Sequence, residues 1–138
     1  MNATYGIKHA LQINPNGIAT IFGDRVRTWK EVYERVTRFA GGLRNRGIQN
    51  GERVAILALN SDRYFEYFFS VPWAGGIVVP LNIRLAAAEL IYLLNDSEAT
   101  MLIVDDAFKS MLPELIRRAR GWFNEQRAGH SHGCARIH

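Results

Sequence analysis

Residues 73–82, WAGGIVVPLN, give the strongest indication of the fold, because they combine a helix end, a glycine turn and a short strand. Gly75 and Gly76 follow a helical pattern and can adopt the positive φ that a helix C-terminus needs. Residues 77–79 are three β-branched residues in a row, which favours a strand over a helix. Because no residue from 77 to 81 is polar, we expect both faces of this strand to be covered. Pro80 has no N–H group and suits the end of the strand.

Two further apolar runs have the same character as this strand. They are residues 53–59, RVAILAL, and residues 100–104, TMLIV. Helical patterns at 62–74 and 85–95 separate the three runs, and a last helix follows the third run to about Ile116, so the order is βαβαβα. This order predicts an α/β protein with a partial doubly wound, mainly parallel sheet. We expect the three strands to lie parallel in one sheet, covered by helices at 29–46 and 62–74.

The amino-terminal part predicts a short β-hairpin followed by a helix. The first 17 residues indicate only a turn, at Asn14-Pro15-Asn16-Gly17. Residues 18–22 form a predicted strand, Gly23-Asp24-Arg25 a turn, and Val26-Arg27 the returning strand, which is typical of a short hairpin. Residues 28–31, TWKE, have the spacing of a capping box, in which the threonine and the glutamate each satisfy a free backbone N–H. A helix is therefore predicted from residue 29 to about residue 46.

That helix carries two features with structural consequences. Glu31 and Glu34 each precede an arginine by four residues, Arg35 and Arg38, so we expect two ion pairs on its solvent-exposed face. The adjacent glycines at 41–42 cost on the order of 1 kcal/mol each relative to alanine inside a helix. We therefore expect these glycines to pack closely against a neighbouring element.

Two other clusters of side chains have both a structural and a functional interpretation. Asp105-Asp106 could bind a metal, but their place between a strand and a helix favours a helix cap, with the helix ending near Ile116. Five aromatic residues crowd the helix at 62–74 and could form a ligand wall. A role in the core or in a domain interface is the favoured interpretation. The aromatic residues are Tyr64, Phe65, Tyr67, Phe68 and Phe69.

Composition narrows the class of protein. Of 138 residues, 48% are hydrophobic and 22% are charged, which indicates a globular chain. The net charge of +4 comes entirely from residues 117–138, because residues 1–116 hold 12 basic and 12 acidic residues. Direct nucleic-acid binding is therefore not expected. The single cysteine, the lack of a secretory signal and the absence of an apolar run long enough to span a bilayer predict a cytoplasmic protein without a transmembrane segment.

Four segments in register resemble a known family. They are TWKEV at 28–32, GERVAIL at 51–57, WAGGIVVPLN at 73–82 and AAELIYLLNDSEATMLIVDD at 87–106. Together they resemble the amino-terminal part of the acyl-adenylate-forming (AMP-binding) superfamily, which contains acyl-CoA synthetases, adenylation domains and luciferases. Among the members of this superfamily, the sequence most resembles a fatty-acid–CoA ligase or a related carboxylate–CoA ligase. The resemblance implies that residues 1–116 form the amino-terminal part of a large AMP-binding domain.

The resemblance also implies a reaction and its reactants. In the family, a fatty or other carboxylic acid attacks the α-phosphate of ATP to give an acyl-adenylate, and coenzyme A then displaces AMP. ATP, Mg and CoA are thus implied for a full-length enzyme. The family holds the phosphates in a Ser/Thr/Gly-rich loop ending in Pro-Lys, and this sequence contains no such loop. We therefore assign it no catalytic, cofactor-binding or metal-binding residue, and we expect an amino-terminal fragment that is inactive alone.

Residues 117–138 show no helical or strand period and depart from the resemblance. His130, His132 and Cys134, with His138, have side chains that could bind zinc, but nothing in the sequence fixes their geometry. The favoured interpretation is a poorly ordered, non-family tail that arose from a frame change, a premature stop or a chimeric gene model.

A different class of protein stays open as the alternative. The chain could be a free-standing small α/β binding or interaction module with a regulatory role. A fragment of a larger enzyme should expose apolar surface and self-associate, whereas an independent module should be a stable monomer.

Overall fold

The computed structural model describes residues 4–119 and the short strand at 135–136. It contains five α-helices, one 3₁₀ helix and six strands within these residues. In chain order the elements are α1 (Thr4–Ile13), β1 (Ile18–Phe22), β2 (Arg25–Thr28), α2 (Trp29–Asn45), β3 (Arg53–Leu57), α3 (Asp62–Trp73), β4 (Ile77–Pro80), α4 (Ala87–Asp96), β5 (Met101–Val104), a 3₁₀ helix (Asp106–Met111), α5 (Leu112–Arg118) and β6 (Ala135–Arg136).

The main sheet has the strand order β4-β3-β5-β6, and every neighbouring pair is parallel. β3 lies between β4 and β5, with Ile56 opposite Pro80 on one side and Ile103 on the other. The prediction of one parallel sheet with the three apolar runs as strands is confirmed. The antiparallel hairpin of β1 and β2 is also confirmed, and it forms a separate two-stranded sheet, although Arg25, predicted in the turn, pairs with Phe22 as the first residue of β2.

The turn that leads into β4 depends on its two glycines in different ways. Gly75 has a φ of 90°, and its carbonyl oxygen accepts a hydrogen bond from the backbone N–H of Gly51 at 2.8 Å. Gly76 has no positive φ, but a Cβ there would lie 3.2 Å from the carbonyl oxygen of Glu52. The positive φ expected of both glycines therefore applies to Gly75 alone, and close packing explains Gly76.

β4 is less buried than its sequence predicts. Every residue of β5, and every residue of β3 after Arg53, is buried, whereas Ile77 of β4 is 48% exposed. The expectation that both faces of β4 are covered holds only in part: Val78 packs on one hydrophobic cluster and Val79 on another, but neither is fully buried, and β4 lies at the edge of the described sheet. An uninterrupted apolar run does not separate a central strand from an edge strand.

Two hydrophobic clusters cover the two faces of the sheet. Val54 and Ile56 of β3 pack with residues of α2 and α3, as the sequence predicts for these helices. Ala55 and Leu57 point the other way and pack with residues of α4 and α5. Successive residues of a strand face opposite sides, so one five-residue strand anchors both layers of helices.

Helix α1 is an element that the sequence does not predict. Its Ile7 is buried against Val32 and Val36 of α2, in a third cluster outside the main sheet. Only Ile7 and Thr4 of this helix are buried, so its apolar period is too weak to indicate a helix by itself. Tertiary packing on α2 provides the missing stabilisation.

The helix starts follow the sequence closely. The Thr28 side chain accepts a hydrogen bond from the backbone N–H of Glu31, and the Glu31 carboxylate accepts one from the backbone N–H of Thr28. Ser61 caps α3 by accepting from the backbone N–H of Tyr64 at 3.2 Å. The last predicted helix is instead divided into the 3₁₀ helix and α5, which ends at Arg118 rather than near Ile116.

The glycines at 41–42 do not pack against a neighbouring element, so that expectation is wrong. A Cβ on either residue would have no atom of another group within 4 Å. Both are exposed within α2. Among the described residues, no close contact requires a glycine at either position.

We expect Gly41→Ala to raise the free energy of unfolding by about 1 kcal/mol, because alanine restricts the unfolded chain and fits a helix without strain. Urea denaturation followed by circular dichroism measures the change. The control is Gly75→Ala, which should destabilise the chain because its φ of 90° is unfavourable for alanine. A loss of stability in Gly41→Ala would show that this face of α2 is covered.

The tail predictions fall largely on residues that the structure does not describe. The candidate zinc ligands His130, His132, Cys134 and His138 all lie outside the described residues. Among the residues that are described, no helix has the length and apolar character needed to cross a membrane.

Candidate functional site

The carboxyl ends of the parallel strands form one edge of the sheet, where ligands bind in open α/β folds. A cavity of about 220 Å³ lies at this edge. It is bordered by the residues that follow β3, by Asp105 after β5, and by the end of the hairpin. Its lining residues are Phe22, Arg25, Ala58, Leu59, Asn60, Ser61, Arg63, Tyr67 and Asp105.

Asp105 joins the ends of β3 and β5. Its carboxylate accepts hydrogen bonds from the backbone N–H of Ala107 at 3.3 Å and of Leu59 at 3.4 Å. The helix-cap interpretation of Asp105 is therefore confirmed. Within residues 4–119, no group of three or more His, Cys, Asp or Glu side chains could hold a metal ion.

A network of charged side chains ties the hairpin to α3 beside this cavity. The carboxylate of Asp62 is fully buried and accepts hydrogen bonds from Arg25 of β2 at 2.7 Å and from Arg27. One turn further along α3, Glu66 accepts from Nε of Arg35 at 2.6 Å and lies 3.8 Å from Nε of Arg27. Two carboxylates on one face of α3 are thus neutralised by three arginines from two other elements.

The sequence predicts different partners for these charges. Arg35 pairs with Glu66 and not with Glu31, because the carboxylate of Glu31 is used in the capping box. Glu34 and Arg38 form no ion pair, although both lie in the described part of the chain. The predicted ion pairs Glu31–Arg35 and Glu34–Arg38 are therefore both wrong. The hydrogen bond to Glu66 raises the pKa of Arg35, which keeps its guanidinium charged.

The spacing of the charged residues in the sequence is consistent with this charged network, although it does not predict it. Arg25 and Arg27 are two residues apart on a strand, so they share a face. Asp62 and Glu66 are four apart on a helix, so they also share a face. Nothing in the sequence indicates that these two faces meet, because more than 30 residues separate them.

The aromatic residues of α3 belong mainly to the core, as predicted. Tyr67 packs against Phe39 with ring centroids 5.3 Å apart. Phe65 and Phe69 contact each other at 4.9 Å and pack on the cluster of α1 and α2. Phe68 is the most exposed of the five. No continuous aromatic wall faces the cavity, since only Tyr67 of this group borders it.

Tyr67 has an unusual environment for an ionisable group. Burial, with smaller contributions from Asp105 and Glu66, raises its pKa to about 12. The hydroxyl group therefore keeps its proton at neutral pH and cannot act as a base. Because Asp62, Glu66 and Asp105 are also engaged in structural contacts, the described residues of this edge provide positioning and no free acid–base group.

The pKa of Tyr67 gives the folded chain an alkaline limit. Its pKa is about 10 in the unfolded chain and about 12 in the folded one, so its stabilisation is complete below pH 10 and is lost as the pH rises through 12. Across this interval we expect the free energy of unfolding of Tyr67→Phe to fall by about 1–2 kcal/mol less than that of the parent, because solvent screening reduces the full effect of the raised pKa. Urea denaturation at pH 9 to 12 measures it, with exposed Tyr92→Phe as the control. Identical profiles for parent and Tyr67→Phe would contradict this prediction.

The geometry defines an open α/β protein whose parallel sheet presents a carboxyl edge next to a charged hairpin. The chain belongs to the family of AMP-binding enzymes, whose model matches residues 7–131. This match extends past residue 116, where the sequence patterns predict a boundary, so the position of that boundary stays a prediction.

Relatives with similar sequences carry the names of CoA ligases. An acetate–CoA ligase of Humulus lupulus is 36% identical over 111 residues, which are 80% of this chain and 20% of the relative. A long-chain-fatty-acid–CoA ligase of Thermus thermophilus is 40% identical over 94 residues, 68% of this chain and 17% of the relative. The solved fatty acyl CoA synthetase of Mycobacterium tuberculosis superimposes with a TM-score of 0.82 at 26% identity, covering 88% of this chain and 24% of that structure. The chain thus spans about a fifth of the length of the curated relatives it matches.

Proposed function

We propose that this chain is the amino-terminal scaffold of an ATP-dependent, AMP-forming carboxylate–CoA ligase. The observation that carries the proposal is the family match over residues 7–131. The names of the relatives support a carboxylic acid and CoA as substrates of the complete enzyme. The single cysteine supports a cytoplasmic setting as a further part of the proposal.

The described residues at the carboxyl edge of the sheet do not by themselves fit ATP and Mg. The cavity at the carboxyl edge, about 220 Å³, is smaller than the roughly 300–1,000 Å³ of small-molecule sites. Its carboxylate, Asp105, is engaged by backbone N–H groups. The sequence also has no Ser/Thr/Gly-rich loop ending in Pro-Lys. The role proposed for this chain is therefore to hold three strand ends and the hairpin in place for residues supplied by a longer polypeptide.

We expect the purified 138-residue chain to show no carboxylate-dependent exchange of labelled pyrophosphate into ATP. Acyl-adenylate formation requires the triphosphate charge to be neutralised and both reactants to be aligned, and this chain lacks the phosphate loop. The assay uses acetate, butyrate and long-chain fatty acids, with a complete family member as positive control. Measurable exchange would overturn the scaffold proposal.

A longer reading frame provides an independent test. We expect the DNA after the codon for Arg117, translated in all three frames, to continue the family pattern in one of them. That frame should reach a Ser/Thr/Gly-rich stretch ending in Pro-Lys. If no frame does so, the alternative of a small independent module becomes the better account.

The outer face of the hairpin favours the scaffold over an independent module. Ile21 and Val26 are paired across the two strands, and Ile18 lies on the same face. These three side chains are 68%, 51% and 61% exposed. A polypeptide that covers this face would remove it from water, and without one we propose that the chain self-associates. Sedimentation velocity of the parent and of Ile21→Ser tests this: a parent that stays monomeric would favour the module.

A further inference from the structure

A second and larger cavity lies between α2 and α3, and neither the fold nor the proposed function uses it. Its volume is about 610 Å³, within the roughly 300–1,000 Å³ typical of small-molecule sites. We call it the arginine groove, because four of its lining residues are arginines. The lining residues are Arg35, Arg38, Phe39, Gly42, Leu43, Asn45, Arg46, Arg63, Glu66 and Tyr67.

Helical spacing explains why these residues meet. On α2, the lining positions recur at steps of three and four residues, which places Arg35 and Arg38 on one side of the helix, and Arg46, the residue that caps its C-terminus, follows on the same side. On α3, Arg63 lies three residues before Glu66 and so faces the same groove. The two helices pack against each other through Phe39 and Tyr67, at the base of their shared surface.

The groove carries a concentrated positive charge. Its one carboxylate, Glu66, accepts a hydrogen bond from Arg35 at 2.6 Å and lies 3.8 Å from Arg27, so it is already neutralised. Arg38, Arg46 and Arg63 form no ion pair with any residue in the part of the chain that the structure describes. Three uncompensated guanidinium groups therefore border one cavity, although residues 1–116 have equal numbers of acidic and basic residues.

The wall of the groove also has an apolar part. The half-buried ring of Phe39 and the ring of Tyr67 lie side by side, with centroids 5.3 Å apart. Leu43 and Gly42 continue this wall, and Gly42 has no side chain to fill the space beside it. A flat ring could therefore lie against Phe39 while its charged group reaches the arginines.

We propose that the arginine groove binds a phosphorylated small molecule with a flat aromatic part. Guanidinium groups bind phosphate through paired N–H donors, and a phosphate monoester carries close to two negative charges at neutral pH. Three free guanidinium groups match the double negative charge of a phosphate monoester better than they match the single charge of a carboxylate ligand. This proposal does not depend on the proposed function, because the ligand is bound and not converted.

The test uses the purified 138-residue chain and 4-methylumbelliferyl phosphate as the probe, measured by titration calorimetry at low salt. Two parts of the probe are titrated separately: inorganic phosphate and the neutral 4-methylumbelliferone. We expect the phosphate ester to bind at least about tenfold more tightly than either part. Added KCl should weaken the binding, since the attraction is between charges near solvent.

The groove variant is the triple substitution Arg38→Gln, Arg46→Gln and Arg63→Gln. The control variant is Lys30→Gln, Arg53→Gln and Arg117→Gln, which removes the same net charge at positions that do not line the groove. We expect the groove variant to lose affinity by at least about tenfold and the control variant to lose less than about twofold. Thermal melts of both variants confirm that they are folded.

Three results would overturn the proposal. They are no detectable binding of the phosphate ester to the parent chain, an equal loss in the groove and control variants, and equal affinities for the ester and inorganic phosphate. The second would assign the binding to overall charge, and the third would remove the role of the aromatic wall. None of these results bears on pyrophosphate exchange, so the proposed function is tested separately.

Discussion

Replacing Asp62 with asparagine is expected to lower the free energy of unfolding by about 3 kcal/mol. Its carboxylate is fully buried and accepts hydrogen bonds from Arg25 and Arg27 of the hairpin. Asparagine has nearly the same shape but no charge, so Arg25 would lose its charged partner and Arg27 would keep only Glu66, at 3.8 Å. Local stability should decrease most in the hairpin, because these ion pairs join the hairpin to α3.

Urea denaturation of parent and variant, followed by circular dichroism, measures this change. The matched control is Asp24→Asn, which makes the same chemical change at an exposed position in the hairpin turn. Hydrogen exchange adds a local readout: the amides of β1 and β2 should exchange faster in Asp62→Asn while those of β3 and β5 do not. Equal stabilities for the two variants would contradict a structural role for the buried carboxylate.

Ile56→Ala is expected to be at least as damaging, with a loss of about 3–4 kcal/mol. Ile56 has no exposed surface and lies on the central strand β3, between Pro80 of β4 and Ile103 of β5. Truncation removes buried methyl and methylene groups and leaves a cavity under α2 and α3. Because β3 anchors both neighbouring strands, the surrounding structure can relax only in part.

The same substitution at Ile77 provides the control. Ile77 lies at the start of edge strand β4 and is 48% exposed, so Ile77→Ala should cost less than about 1 kcal/mol. Denaturant titrations of both variants compare the two strands directly. A similar loss at both positions would show that β4 is covered in solution and is not an edge, and the strand order would then need an additional neighbour.

Local sequence determined the elements that depend on near neighbours. The capping box of Thr28 and Glu31 and the hairpin with its turn after Phe22 involve residues only a few positions apart, so the sequence shows them directly. The apolar runs of β3 and β5 likewise predict buried parallel strands. The four motifs in register also indicate the family, which the match over residues 7–131 confirms.

Tertiary structure decided which of these surfaces meet. Glu66 lies 31 positions from Arg35, and no periodicity shows that Arg35 prefers it to Glu31. Whether β4 is central or at an edge depends on its neighbours, and its own apolar residues are the same in either place. The arginine groove likewise exists only because α2 and α3 pack side by side. Hydrophobic periodicity is a property of one segment, whereas ion pairs, edges and cavities are properties of two segments brought together by the collapse of the chain.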